Sequence, residues 1–171
     1  MRHVGDFLGY QATPFSKPVA RAPQQQTRLA TQDDLDAIID YLNASNIFPL
    51  VGGLYYHRFK ARAITAAFLE QKIAAQQIYL LQRWERLDGL AIAEITTSIQ
   101  NQQRFSVGYL DGTAIEAISL IAYDLRQRLT TLPAEQVFIY APHTLLIQDA
   151  FAGVEYTPDA SSFATYEREL Q

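Results

Sequence analysis

Hydrophobic residues recur along this chain with two spacings, and the switches between them mark out its elements. Leu35, Ile38, Ile39 and Leu42 stand at i, i+3, i+4 and i+7, a single apolar stripe that predicts a helix. Thr31-Gln32-Asp33-Asp34 ahead of it has the form of a capping box with Asp in place of Glu, and Asn43-Ala44-Ser45-Asn46 reads as its end. Thr27-Arg28-Leu29-Ala30 is a short strand candidate before that box. Ile47 to His57, IFPLVGGLYYH, keeps neither spacing because Pro49 and Gly52-Gly53 interrupt it, and a mobile loop beside a cavity is expected there. Arg58 to about Gln77 is rich in alanine and other helix formers, which predicts a second helix.

Ile78 to Trp84 and Gly89 to Ile95 read as two strands joined into a hairpin across Glu85-Arg86-Leu87-Asp88. After a polar connection at Gln100 to Gln103, Arg104 to Tyr109 resumes as strand. Ile115, Ile118, Ala122, Leu125 and Leu129 mark a third helix that stops before Leu132-Pro133. Val137-Phe138-Ile139-Tyr140 is wholly apolar, as in a strand covered on both faces. Pro142 to Ala152 predicts a fourth helix and Phe163 to Glu167 a closing strand. Residues 1 to 26 hold Pro14, Pro18 and Pro23 and end in Gln24-Gln25-Gln26, which predicts an extended arm before a single domain of residues 27–171. The fold class expected from this order is layered α/β, with a mixed, mostly antiparallel central sheet flanked by helices.

Composition narrows the functional classes. The 171 residues are 49% hydrophobic, enough for one domain with a sizeable core. Fourteen Lys and Arg stand against 18 Asp and Glu, a formal charge of −4, which argues against a broad grip on nucleic acid or anionic lipid. No cysteine is present, so thiolate ligands and thiol nucleophiles are out. His3, His57 and His143 are scattered without metal-ligand spacing, and no metal is expected. No apolar run reaches the roughly 18 residues of a bilayer span, and MRHVGDFLGY lacks a secretion signal's apolar core, so a cytoplasmic protein is the expectation. Elbow, Walker and dinucleotide glycine patterns are missing too.

The element order, with TRLATQDDLDAIIDYL at its head and GVEY and FATYEREL at its tail, resembles the GNAT acyltransferases over about residues 27 to 170. The resemblance implies the acyl-CoA N-acyltransferase fold and acetyl-CoA as co-substrate. In that family a strand runs into a Gln/Arg-x-x-Gly-x-Gly/Ala turn that opens the central helix and receives the pyrophosphate on backbone N–H groups. The matching residues are Tyr109, Leu110, Asp111, Gly112, Thr113 and Ala114, led in by Val107. Gly112 and Ala114 fit the pattern, and Tyr109 departs from Gln/Arg. An uncapped helix start stabilises an anion, and a glycine lets a phosphate approach. Asp111 opens the other reading, in which its carboxylate caps the same N–H groups and the turn is its own ligand. The strands 104–109 and 137–141 would be the lips of the cleft.

Acyl transfer to an amine calls for a base and an acid near the reacting carbon. Glu94 is the only carboxylate within GLAIAEI and is the candidate base, or else a strand-end residue facing water. The resemblance implies a tyrosine as acid where Asp149 stands, so Tyr140 and His143 are the substitutes. Tyr55-Tyr56 lines an acceptor pocket or plugs the core edge, and His57 reads as a solvent-facing loop residue. Two functions follow. One is an acetyl-CoA-dependent N-acetyltransferase acting on an amine of a small molecule or protein. The other is an inactive GNAT-like module that docks a protein partner through residues 1–26, where Arg2, Lys17 and Arg21 accompany Phe7, Leu8, Tyr10 and Phe15.

Overall fold

The computed structural model describes residues 2–14, 19–57, 60–98, 100–142 and 144–167, with side chains for 9–14, 19–57, 60–98, 100–142 and 144–158. In chain order the elements are β1 (Arg2–Ala12), β2 (Gln25–Leu29), a 3-10 turn (Gln32–Asp34), α1 (Leu35–Ala44), α2 (Ile47–Leu50), β3 (Leu54–His57), β4 (Lys60–Ala63), α3 (Ala66–Ala74), β5 (Ile78–Arg83), β6 (Arg86–Thr97), β7 (Gln103–Gly112), α4 (Ile115–Gln127), a 3-10 turn (Arg128–Thr130), β8 (Gln136–Pro142), α5 (Leu145–Ala152) and β9 (Thr157–Glu167). Seven strands form one sheet in the order β2-β5-β6-β7-β8-β1-β9, and β3-β4 forms a separate hairpin. Every neighbouring pair is antiparallel except β7 and β8, which α4 joins as a crossover. This is the mixed, mostly antiparallel sheet flanked by helices that the sequence predicts.

Helices α4 and α5 pack together on one face of the sheet, where Ser119 donates to the Ala150 carbonyl at 2.8 Å. On the other face lie α1, α2, α3 and the β3-β4 hairpin, which meets β7. Ile78, Leu80, Leu81, Leu90 and Ile92 of the central strands are fully buried between the layers. Thr31-Asp34 closes as predicted: the Thr31 N–H donates to the Asp34 carboxylate at 2.7 Å. Arg28 holds that carboxylate from the other side with two nitrogens, each at 2.8 Å. This pairing draws the Asp34 carboxyl down to about 2, beyond what its partial burial raises it.

Three expectations are corrected. Ile47 to His57 is not a loop: it contains α2 and then β3, with Gly52 and Gly53 both at positive φ in the turn between them. The second helix does not begin at Arg58. Lys60–Ala63 pairs as a strand against Leu54–His57, and α3 starts only after Thr65, whose side chain accepts from the Phe68 N–H. Finally, the segment expected as an extended arm contains a strand of the sheet, β1. Gln11 and Ala12 lie opposite Phe138 and Val137 on one side, and β9 pairs along the other, so β1 is an interior strand. The prolines that suggested an arm all fall beyond its end.

The feature that shapes the site is a parting of the sheet. β7 and β8 pair only from Arg104 opposite Gln136 to Val107 opposite Ile139. Beyond that rung β7 stays with β6 as far as Gly112, while β8 stays with β1 as far as Pro142. A bulge sits at the divergence: Ile92 faces Tyr109 and Ala93 faces Val107, so Gly108 has no counterpart. A Cβ at Gly108 would lie 2.3 Å from the Tyr56 carbonyl oxygen and 2.4 Å from the Tyr55 ring. Glycine is therefore what allows the hairpin to settle on the bulge.

Candidate functional site

The lips of the parting end at two helix starts. α5 is capped by Thr144, whose hydroxyl accepts from the Ile147 N–H at 3.3 Å. α4 has Ala114 at the equivalent position and no side-chain cap. Its first turn thus presents backbone N–H groups and the positive end of a 13-residue helix beside the gap. Thr113 and Ala114 are exposed. The Thr113 N–H is spent on the Asp88 carbonyl at 2.9 Å, so the groups on offer begin with the helix proper. Gly112 packs under that turn: a Cβ there would meet Ile118 at 2.6 Å for Cγ1 and 2.8 Å for its nitrogen. Ile115, Leu145 and Leu146, the first residues of the two helices, are exposed apolar side chains at the same end.

Asp111 does not cap α4. The pleat of β7 sends Leu110 and Gly112 toward α4 and the side chains of Tyr109 and Asp111 toward α1 and α2. The carboxylate is 2% exposed and accepts from Ser45 Oγ at 2.5 Å, from Tyr109 at 2.6 Å and, more weakly, from Tyr41 at 3.4 Å. Burial pushes its carboxyl above the ordinary range, against the pull of these hydroxyls and the Gly112 N–H. Burial beside that carboxylate likewise raises the Tyr109 phenol far above its usual value. Ser45 ties the network to the start of α2, accepting from the Ile47 and Phe48 N–H groups at 3.0 and 3.1 Å.

A second cluster lies at the paired side of the divergence. Glu94 is opposite Ser106 on the sheet, one rung before Val107. It is neither isolated nor turned to water: Nδ1 of His57 lies 2.5 Å from its Oε1, Tyr55 donates to the same oxygen at 3.0 Å, and Lys72 approaches Oε2 at 3.4 Å. Burial alone would raise its carboxyl, but Lys72, Tyr55 and His57 outweigh it and hold Glu94 below the ordinary glutamate range. These residues line a cavity of about 480 Å³ together with Lys60, Ala61 and Arg62. The Tyr55 ring fills the space over Gly108, and the residue also lines this cavity.

Of the residues singled out in the sequence, Glu94 is in this cavity, and Tyr140 follows the last paired rung of β8, half-buried against Phe138 with ring centroids 4.9 Å apart. His143 lies outside the described residues. Val107 is fully buried and marks where pairing ends, and Leu110 is buried. Gly112, Thr113 and Ala114 form the approach to α4, whereas the side chains of Tyr109 and Asp111 face the opposite layer. Asp149 is exposed on α5. Sequence reasoning missed His57 and Lys72. The available signal was alternation: Tyr55 and His57 share one face of a strand, and a strand was not expected there.

Among the described residues no group of three or more His, Cys, Asp or Glu is placed to hold a metal ion, and no helix is long and apolar enough to cross a membrane. No family model and no curated protein matches the chain. Solved structures do. An aminoglycoside acetyltransferase from an uncultured soil metagenomic sample, solved with trehalose, superposes with a TM-score of 0.61 at 12% identity, over 86% of this chain and 97% of that one. A GCN5-related N-acetyltransferase from Anabaena variabilis gives 0.58 at 9% identity, over 95% of this chain and 40% of that one. A Thermus thermophilus protein in its wild-type form gives 0.53 at 16% identity, over 85% and 98%. The fold is therefore the GNAT-like acyltransferase fold.

Proposed function

We propose that this protein is an acetyl-CoA-dependent N-acetyltransferase that works by direct attack of an amine on the thioester. The observation that carries the reading is the parting of β7 and β8 at Val107 and Ile139, which ends at the uncapped start of α4. A parted parallel pair leaves backbone donors and acceptors facing a gap, and a chain of amides such as pantetheine can pair with them. The diphosphate would then lie against the first turn of α4, which packs closely over Gly112.

The thioester carbon would sit near the divergence, within reach of the Glu94 cluster. His57 would take the amine's proton, and Glu94, whose Oε1 lies 2.5 Å from Nδ1, would orient the ring and stabilise its positive charge as the proton is taken. Glu94 orients that ring rather than taking the proton itself, because Lys72 and Tyr55 hold it as a weak base. The nitrogen of the acceptor forms a bond to the carbonyl carbon, the C–S bond breaks, the amine's proton passes to His57, and the sulfur leaves as a thiol with a proton from Tyr140 or water. Backbone N–H groups at the gap would polarise the carbonyl.

Calorimetric titration with acetyl-CoA tests the reading. Saturable binding by the wild type, weakened when Gly112 is replaced by valine, is expected. No heat at millimolar acetyl-CoA would overturn it.

A further inference from the structure

The cavity beside Glu94 carries a charge pattern that the transfer reaction does not need. β3 and β4 pair with Tyr55 opposite Arg62 and His57 opposite Lys60. Because side chains alternate along a strand, these four residues share one face of the hairpin, and that face lines the cavity. Across from it stand Lys72 and Glu94.

Three side chains that are cationic at neutral pH thus surround one carboxylate, in a chain whose formal charge is −4. Lys72 is the buried member, and its charge is spent: its ammonium donates to Gln77 at 2.9 Å, approaches Glu94 at 3.4 Å and lies over the Tyr55 ring at 4.8 Å. Lys60 and Arg62 are different. Both are exposed, neither is matched by a carboxylate among the described residues, and Arg62 is steadied over the Phe68 ring at 5.3 Å. A planar guanidinium held by an aromatic face, with an ammonium in the lining of the same cavity, is a fitting receiver for a carboxylate or a phosphate. The size, about 480 Å³, suits a small molecule.

We infer that the acceptor is a small amine that also bears an anionic group, which Lys60 and Arg62 hold while the amine faces the His57–Glu94 pair. This rests on the transferase reading above. The cations would exclude polyamines and other cationic acceptors, since a second positive charge would be left unpaired in front of Arg62. The two residues act on selection and not on the bond-making step.

Primary amines that share an ethylene spacer separate the possibilities: β-alanine, O-phosphoethanolamine, ethanolamine and 1,2-diaminoethane. Acetylation of at least one acidic amine with a KM about tenfold to a hundredfold below that of ethanolamine is expected, the scale of a charge-assisted contact. Whether β-alanine or O-phosphoethanolamine is favoured distinguishes carboxylate from phosphate. Changing Lys60→Gln and Arg62→Gln together, with folding checked by circular dichroism, should bring the ratio of kcat/KM for acidic amine over ethanolamine close to one, through KM. Equal use of ethanolamine or the diamine, or a ratio untouched by the double variant, would overturn the inference while leaving the transferase standing. If acetyl-CoA itself does not bind, titration of β-alanine and O-phosphoethanolamine alone decides. Heat that disappears in the double variant supports the anion site, and absence of heat from the wild type removes it.

Discussion

Tyr109 donates to the carboxylate of Asp111 at 2.6 Å, two residues along the same strand and on the face of the sheet away from α4. This settles how the turn between β7 and α4 is divided: the acidic side chain serves the packing of α1 and α2, and the helix start is left without a cap.

It follows that Asp111→Asn should scarcely alter acetyl-CoA affinity, since the carboxylate neither blocks nor faces the first turn of α4. Its cost should appear in stability instead. An amide cannot accept from three hydroxyls as a carboxylate does, and a loss of about 1–3 kcal/mol is expected for a buried group left short of partners. Urea denaturation and calorimetry read the two effects separately.

Gly112→Val should lower both stability and affinity. A side chain there collides with Ile118 at its backbone nitrogen as well as its Cγ1, so the start of α4 must move. A stability loss of about 1–3 kcal/mol, accompanied by at least roughly tenfold weaker acetyl-CoA binding, is expected.

Removing residues 2–12 should prevent folding. β1 supplies the backbone partners of both β8 and β9, and Arg126, buried on α4, donates to the Thr13 carbonyl just past its end. Circular dichroism and size-exclusion chromatography of the truncated chain should show an unfolded or aggregated product. A folded, monodisperse product would contradict the interior placement of β1.

Acid should act through two carboxylates held below their usual range. Asp34, drawn down to about 2 by Arg28, and Glu94, held down by Lys72, Tyr55 and His57 in spite of burial, each contribute stability that is present above the unfolded-state value. That contribution fades as the pH falls through the folded-state value. Asp111, whose folded-state value is raised by burial, works the other way: its contribution is present at acid pH and lost as the pH rises through the folded-state value. A pH series of urea midpoints should show the Glu94→Gln variant converging on wild type as the pH drops below the ordinary glutamate range.

Helices α1 and α4 and the strands β5 to β8 were legible because their hydrophobic spacing is local. Ile115 to Leu129 and Leu35 to Leu42 needed no partner to be recognised. The hairpin β3-β4 was not, because KARA at 60–63 is four residues long, exposed throughout and preceded by glycines that break any period. β1 was hidden for a different reason: its partners lie near residues 137–142 and 157–167, and strand propensity reflects such neighbours more than the segment itself. The two faces of β7 could have been read from alternation, since Asp111 sits one residue from Gly112 and must point the other way. Glu94 stood out as a lone charge on an apolar strand, but its partners His57 and Lys72 arrive from elements whose placement only the fold supplies.

The most direct test is to follow the backbone amides of α4 by nitrogen-proton NMR as coenzyme A is added. Shifts centred on Ile115, Glu116 and Ala117, weaker with pantetheine, which lacks the diphosphate, are what an uncapped start receiving that group predicts. Saturating coenzyme A that moves amides elsewhere and leaves this turn unchanged would contradict it.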